Sequence, residues 1–186
     1  MGRFILVTGG ARSGKSSFAA EMAGKFGSDI VYIATSIPLD KEMEFRIRKH
    51  REQRPAEWET IEAYRDLDKR LGNSLRGKSA VILDCVTIMV TNLMMDIRQD
   101  WENAGICDIV TTEELIKDEV FKLIDVIKKG DIPFIIVTNE LGMGVVPEYA
   151  LPRIFRDISG RMNQLLAANA DEVYLCVSGI PVKIKG

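Results

Sequence analysis

The sequence predicts an α/β fold in which a doubly wound, mostly parallel sheet is flanked by helices. Three observations predict it. Short apolar runs alternate with helix-like segments along the 186 residues. The run over 80–83 is apolar on both faces, as a central parallel strand is. The hydrophobic content of 46% suffices for one domain with a substantial core. We therefore expect a single α/β domain over 1–186, with ligands bound at the carboxyl ends of its strands.

The elements follow in order from these patterns. Strands are expected at 4–8, 29–34, 80–84, 133–138 and 172–177, with a short last strand at 181–185. Apolar residues at helical spacing predict a helix that Gly27 closes, and a charged helix over 41–54 that Pro55 stops. Further helices are expected over 111–129, opened by a capping box of Thr111 and Glu114, and over 149–170. The segment 96–110 is the least regular, and it is either a mobile connection or part of a subunit contact.

A glycine-rich segment directly after the first apolar run carries the strongest chemical signal. It reads Gly9, Gly10, Ala11, Arg12, Ser13, Gly14, Lys15 and Ser16, the spacing G-x-x-x-x-G-K-S between a strand and a helix. Glycines let successive backbone N–H groups point at one anion, the lysine adds a positive charge, and the serine hydroxyl binds Mg²⁺. The helix that follows aims its positive end at the same place. This predicts a phosphate-binding loop of the P-loop NTPase type.

Asp84 ends the apolar strand over 80–84, where a P-loop enzyme places the carboxylate that orders magnesium. Ser16 and Asp84 are therefore the candidate metal residues. The alternative is a carboxylate that caps the segment after the strand.

His50 is the only histidine, and its neighbourhood is strongly cationic. Five arginine or lysine residues lie within nine positions, namely Arg46, Arg48, Lys49, Arg51 and Arg54. One interpretation is a solvated basic helix. The other is a phosphate-facing surface with an imidazole that attacks phosphorus, since nearby cations lower the imidazole pKa and stabilise developing negative charge.

Two further segments are ambiguous. Residues 138–147 follow the fourth strand with two glycines and a proline, which is typical of a site-forming loop but also of a plain strand-to-helix turn. Its Asn139 and Glu140 would then face a substrate or a neighbouring subunit. The arginines at 153, 156 and 161, with Asn163 and Gln164, suit either an anionic substrate or exposed charge on a helix.

Composition excludes several classes of function. A net charge of −2 gives no electrostatic case for nucleic acid as the main partner. No apolar run approaches the roughly 20 residues that span a bilayer, and no signal peptide is expected at the N-terminus. Three scattered cysteines and one histidine do not make a zinc site. Cys85 and Cys176 are expected to be small buried residues, and the expected compartment is the reducing cytoplasm.

Six segments together resemble one family, the bifunctional adenosylcobinamide kinase and adenosylcobinamide-phosphate guanylyltransferase of cobalamin assembly. They are G-G-A-R-S-G-K-S (9–16), Y-I-A-T-S (32–36), E-M-x-x-R-I-x-x-H-x-x-x-R-P (42–55), V-T-N-E-x-G-M-G-V-V-P (137–147), F-R-D-I-x-G-R-x-N-Q (155–164) and V-S-G-I-P-V-K-I-K (177–185). The resemblance runs from residue 4 to the end of the chain.

The resemblance implies two reactions. ATP or GTP phosphorylates the aminopropanol hydroxyl of adenosylcobinamide. His50 then attacks the α-phosphorus of GTP, pyrophosphate leaves, and GMP passes from His50 to adenosylcobinamide phosphate. The resemblance also implies magnesium, a homotrimer with sites near subunit contacts, and a set of nucleotide-site residues beyond the P-loop, namely Ala34, Thr35, Ser36, Arg51, Glu52, Gln53, Arg54, Glu62 and Asp84.

Two rival functions remain at this stage. One is a simple P-loop kinase for a small metabolite, with His50 as a surface residue. The other is a GTP-binding switch, which the sequence disfavours on two grounds. Such switches usually have a glycine three residues after the aspartate that orders the metal, whereas this chain reads Asp84-Cys85-Val86-Thr87. The N-K-x-D motif that reads guanine is also missing after the fourth predicted strand.

Overall fold

The structure is a computed structural model. It describes residues 2–38, 41–52 and 55–186, without the side chains of Glu42, Met43, Arg46, Ile47, His50, Glu52 and Asn73. Within these ranges the predicted fold class is confirmed.

Seven strands form one sheet in the order β3-β2-β4-β5-β1-β6-β7. All pair in parallel except β7, which runs antiparallel to β6 at one edge. The strands are β1 (Phe4–Gly9), β2 (Ile30–Ala34), β3 (Glu59–Glu62), β4 (Ala80–Asp84), β5 (Phe134–Val137), β6 (Glu172–Val177) and β7 (Ile180–Lys185). Strand β1 lies between β5 and β6, so the loop that follows β1 emerges from an interior strand of the sheet.

Helices cover the sheet. They are α1 (Lys15–Gly24), α2 (Lys41–Glu52), α3 (Leu67–Leu71), α4 (Val86–Ile97), α5 (Ile106–Lys129) and α6 (Ala150–Asn169), with a 3-10 turn at Gly72–Leu75. One face of the sheet packs on α3, α4, α5 and α6, while α1 packs on the other face through Ala19 and Ala23. Burial on both faces explains the near-continuous apolar sequences of β1, β2, β4 and β5.

Several predicted boundaries are wrong. Helix α5 begins at Ile106, five residues before the predicted start, and Asp108 accepts a hydrogen bond from the backbone N–H of Gly105 at 2.9 Å. Thr111 therefore lies inside the helix, and the predicted Thr111–Glu114 capping box does not open it. The irregular segment shrinks to 98–105, in which Trp101 is only 1% exposed and belongs to the core.

Other predictions are confirmed. Cys85 and Cys176 are buried, and both are free thiols, as is the exposed Cys107. In the part of the chain that the structure describes, no helix combines the length and the apolar character needed to cross a bilayer.

Candidate nucleotide site

The glycine-rich loop connects the end of β1 to the start of α1, as its spacing predicts. Gly14 is the residue before α1 and has φ +93°, while Gly9 and Arg12 also have positive φ values of +148° and +56°. Glycine is favoured at such angles because a Cβ is strained there. The backbone therefore takes the curved path that lets successive N–H groups face one anion, at the positive end of a helix.

Lys15 is the first residue of α1 and is only 7% exposed. Its Nζ donates hydrogen bonds to the carbonyl oxygen of Gly10 at 2.6 Å and to Ser13 Oγ at 3.5 Å. Burial lowers the pKa of Lys15 below its ordinary value of 10.5, and coulombic interactions with Cys85, Asp84 and Cys176 oppose that shift. A desolvated ammonium group held over the loop is well suited to meet phosphate oxygens.

Backbone contacts hold this loop from two sides. The N–H of Glu140, in the segment after β5, donates to the carbonyl oxygen of Gly9 at 3.0 Å. The N–H of Gly179, in the β6–β7 turn, donates to the carbonyl oxygen of Ser13 at 2.9 Å. A Cβ added at Gly14 would lie 3.0 Å from the Cα of Gly179, so only glycine fits this approach without displacement. These contacts fix the path of the loop.

The other predicted strand-end residues lie at the same edge of the sheet. Ala34 is aligned with Glu62 of β3 on one side and with Asp84 of β4 on the other. Asp84 is in turn aligned with Val137 of β5, which is aligned with Val7 of β1. Neighbouring strands lie about 4.8 Å apart. The sheet therefore brings together the ends of the strands that carry the predicted residues.

A hydrogen bond from Tyr32 Oη reaches Asp84 Oδ2 at 2.8 Å and orients the carboxylate. The hydroxyl of Thr35 donates to the carbonyl oxygen of Cys85 and accepts from the N–H of Cys85, both at 2.9 Å. The amide of Asn92, in α4, donates to the carbonyl oxygen of Thr35 at 2.7 Å. The peptide after Asp84 is therefore fixed by buried polar side chains. Burial also raises the pKa of the Cys85 thiol.

Helix α2 reaches the same edge through one ion pair. Arg51 NH2 lies 2.5 Å from Glu62 Oε1, and about half of each side chain is exposed. The backbone of His50 belongs to α2, immediately before Arg51. The side chains of His50 and Glu52 are outside the described residues, as are Gln53 and Arg54.

Sequence reasoning named Asn139 and Asn163 but missed two buried polar residues of α4, Thr87 and Asn92. Asn139 Nδ2 donates to Thr87 Oγ1 at 2.6 Å, and the amide of Asn163 donates to the carbonyl oxygen of Asn139 at 2.9 Å. Thr87 and Asn92 are 2% and 6% exposed within the apolar helix α4. The sequence signal for them is a polar residue within an otherwise apolar helical stretch. Such a residue is buried with its neighbours, and a buried polar group needs hydrogen-bond partners.

The arginines of α6 contact protein groups. Arg161 forms a two-pronged ion pair with Glu113, with one contact at 2.8 Å, and Arg153 donates to the carbonyl oxygens of Pro147 and Glu148. Arg156 pairs with Asp157 at 3.3 Å. These contacts favour the interpretation of 153–161 as a charged helix surface over that of an anion site.

The features described so far define a class. A buried parallel strand, a glycine-rich loop with a buried lysine, and an aspartate at the end of a strand in the same sheet are the arrangement of a P-loop nucleotide-binding protein. One solved structure, from a structural study of a Pyrococcus horikoshii OT3 protein, has a similar fold, with a TM-score of 0.50 at 10% identity over 99% of this chain and 86% of that chain.

Comparison with known families narrows the class. The family model described as cobinamide kinase / cobinamide phosphate guanyltransferase matches residues 5–184. The bifunctional adenosylcobalamin biosynthesis protein CobU of Escherichia coli K12 is 49% identical over 97% of this chain and 99% of its own length. The protein of the same name from Salmonella typhimurium LT2 is 48% identical with the same coverage. The chain belongs to the cobinamide kinase / cobinamide phosphate guanyltransferase family and is a bifunctional enzyme of adenosylcobalamin biosynthesis.

Proposed function

We propose that the two reactions share one nucleotide site, at the carboxyl edge of the sheet, and that the second reaction passes through a guanylylated His50. In the first reaction ATP or GTP phosphorylates the aminopropanol hydroxyl of adenosylcobinamide. In the second, GMP from GTP is transferred to adenosylcobinamide phosphate, giving adenosyl-GDP-cobinamide. The observation that carries the proposal is the alignment of Ala34, Glu62 and Asp84 beside the P-loop, with Arg51 of the His50 helix paired to Glu62.

The roles of the residues follow from their chemistry. The loop from Gly9 to Ser16 binds the triphosphate through backbone N–H groups and Lys15. Ala34, Thr35 and Ser36 line the nucleotide beside it. Ser16 and Asp84 offer the hard oxygen atoms that Mg²⁺ prefers, and they fit a site completed by phosphate and water oxygens. Bound magnesium would neutralise part of the triphosphate charge.

The guanylyl transfer needs a nucleophile and nearby positive charge. The unprotonated imidazole of His50 forms a bond to the α-phosphorus of GTP, while the bond from that phosphorus to the α,β-bridging oxygen breaks and pyrophosphate leaves. Arg51 and Arg54 follow His50 in sequence and are proposed to stabilise the charge that develops on the phosphoryl oxygens. Glu52, Gln53 and Glu62 complete this part of the site.

Labelled GTP tests the covalent step. After incubation with α-labelled GTP and denaturation, we expect label that survives alkali and is released by acid, the behaviour of a phosphoramidate. His50→Ala is expected to retain no label, whereas Glu44→Ala, an exposed carboxylate on the same helix, is expected to label like the wild type. Undiminished labelling of His50→Ala would rule out His50 as the nucleophile.

The compartment, the oligomeric state and the domain organisation are also proposals. We propose a cytoplasmic homotrimer in which residues 1–186 form one nucleotide-binding domain. Three free cysteines support a reducing compartment, and exposed apolar side chains at Ile180, Val182 and Ile184 of the edge strand β7 support self-association. Native mass spectrometry is expected to give three chains, and limited proteolysis is expected to leave the chain largely intact. A monomer at micromolar concentration would contradict the trimer.

A further inference from the structure

Asn139 lies between the two parts of the site that bind triphosphate and metal in the proposed function. Its strand, β5, separates the strand of the P-loop from the strand of Asp84. The backbone hydrogen bonds between β5 and β1 continue past the end of β5. Thr138 N donates to Val7 O at 2.9 Å, and Glu140 N donates to Gly9 O at 3.0 Å. Asn139 is therefore held in extended backbone directly beside the first glycine of the loop.

The side chain of Asn139 is on the same face of the sheet as α1. Val137 packs in the cluster that includes Ala19 and Ala23 of α1, and Asn139 follows it by two residues. Asp84 is on that face too, since it accepts a hydrogen bond from Tyr32, a member of the same cluster. Lys15 begins α1 itself. Three functional groups, an ammonium, a carboxylate and a carboxamide, thus share one face at one edge.

Neighbouring residues fix the orientation of this carboxamide. Asn139 Nδ2 donates hydrogen bonds to Thr87 Oγ1 at 2.6 Å and to Cys85 Sγ at 3.8 Å. From the opposite face, Asn163 Nδ2 donates to the backbone carbonyl of Asn139 at 2.9 Å, while Thr138 Oγ1 donates to Asn163 Oδ1 at 2.7 Å. Among the described residues, no group donates a hydrogen bond to Asn139 Oδ1. A side chain held this firmly with an unused acceptor has the preorganisation that positioning of a substrate requires.

We propose that Asn139 positions the acceptor hydroxyl against the γ-phosphate in the kinase reaction, an inference that rests on the proposed function of the site. Its Oδ1 accepts a hydrogen bond from the hydroxyl and directs the hydroxyl oxygen at the γ-phosphorus. The hydroxyl oxygen bonds to the γ-phosphorus as the bond from that phosphorus to the β,γ-bridging oxygen breaks. The nucleoside diphosphate leaves, and the hydroxyl proton passes to a phosphoryl oxygen, because a neutral carboxamide does not take it up.

The two reactions of this enzyme make the inference separable from a general role in nucleotide binding. Guanylylation occurs at the α-phosphorus, two phosphate groups away from the γ-phosphorus. A residue that aligns the acceptor with the γ-phosphate affects phosphorylation and leaves guanylylation of the protein unchanged. A residue that merely supports the P-loop affects both reactions.

The experiment compares both half-reactions in wild type, Asn139→Ala and Asn139→Asp. Phosphorylation is measured as conversion of adenosylcobinamide with saturating nucleotide, and guanylylation as the added mass of GMP on the intact protein with GTP alone. For Asn139→Ala we expect kcat of phosphorylation to fall at least about 10-fold, with KM for nucleotide and the rate of guanylylation changed less than about 3-fold. Asn169→Ala, the same replacement near the end of α6, is expected to leave both reactions unchanged.

Asn139→Asp keeps the shape of the side chain, so it tests the inference even if Asn139→Ala fails to fold. It loses both N–H donors and sets a carboxylate against the γ-phosphate, so we expect at least as large a loss of phosphorylation. Unchanged phosphorylation in a folded variant, or a parallel loss of both reactions, would overturn the inference. If the wild type itself neither phosphorylates adenosylcobinamide nor gains GMP, the proposed function fails instead.

Discussion

Lys15 shows how a single residue can favour function at a cost in stability. Its ammonium group is almost fully buried, and its described hydrogen-bond partners are a carbonyl oxygen and a hydroxyl of its own loop. Removing a charge from water is unfavourable unless strong partners replace the hydration. The lowered pKa of Lys15 reports this same cost. The ligand-free protein therefore carries a desolvated charge that phosphate oxygens would compensate.

Lys15→Met should accordingly stabilise the protein in the absence of nucleotide. It should also abolish the rise in Tm that nucleotide binding causes. A gain of about 1 kcal/mol corresponds to a rise in Tm of about 2–4 °C for a chain of this size. Differential scanning calorimetry with and without GTP and magnesium measures both effects. Lys25→Met replaces an exposed lysine of the same region and should change neither. A lower Tm for ligand-free Lys15→Met would show that the ammonium group is stabilising as it stands.

The difference in stability between the wild type and Lys15→Met should change with pH in one direction. The pKa of Lys15 is lower in the folded protein than the 10.5 expected for the unfolded chain. Between these two values the unfolded state binds more protons, so the stability of the wild type rises with pH relative to Lys15→Met. We expect the free-energy advantage of the variant, measured by urea unfolding, to be smaller at about pH 10 than at about pH 8. A constant difference would mean that Lys15 does not titrate in this range.

At the scale of elements, the described link between α2 and the sheet is an exposed ion pair. Arg51 and Glu62 join the helix of His50 to the end of β3. Exposed pairs contribute less than about 1 kcal/mol to the stability of a protein. Their main effect is therefore on the position of α2 rather than on the Tm. In the proposed function guanylylation depends on where His50 is held, so this link is expected to matter for that reaction.

A double-mutant cycle measures this coupling. Arg51→Gln and Glu62→Gln should each slow guanylylation, and the double variant should be no slower than the slower single variant, because either change breaks the same pair. Glu59→Gln is the matched control, since Glu59 lies at the other end of β3 and pairs with Lys78 at 2.8 Å. Fully additive losses would show that Arg51 and Glu62 act independently of each other.

The elements also show what the sequence reveals. Strands β1, β2, β4 and β5 were predicted because burial on both faces makes them apolar runs that local reading detects. Strand β3 was missed because its sequence, Glu-Thr-Ile-Glu, has no such run and becomes a strand through pairing with β2 at the sheet edge. Helix α4 was missed because its apolar stretch lacks the polar face that marks an amphipathic helix.

The candidate site divides in the same way. Local motifs predicted the P-loop and Asp84, since loop, strand and helix are contiguous in sequence. The contacts that orient the site join distant residues, such as Asn139 with Thr87 and Cys85 with Thr35, which are 52 and 50 positions apart. Such pairs depend on strand order, and no local pattern encodes strand order.

For the whole molecule, the topology brings the candidate site residues together at one edge of the sheet. The P-loop follows β1, an interior strand of the sheet, and is held by the segment after β5 and by the β6–β7 turn. The strands that carry Asp84, Ala34 and Glu62 follow in order on one side. In the proposed function this single loop therefore serves both reactions, whichever phosphorus atom of the triphosphate is attacked.

Gly14→Ala tests this dependence on one loop. Gly14 has φ +93°, and its new Cβ would lie 3.0 Å from Gly179 Cα, so the loop must shift. Because both reactions use that loop in the proposed function, we expect phosphorylation and guanylylation to fall by a similar factor of about 10 or more. Gly160→Ala, inside α6 where a Cβ meets no atom within 4 Å, should leave both rates unchanged and raise the Tm through its better helix propensity. If Gly14→Ala loses one reaction and keeps the other at full rate, the two reactions do not share the loop.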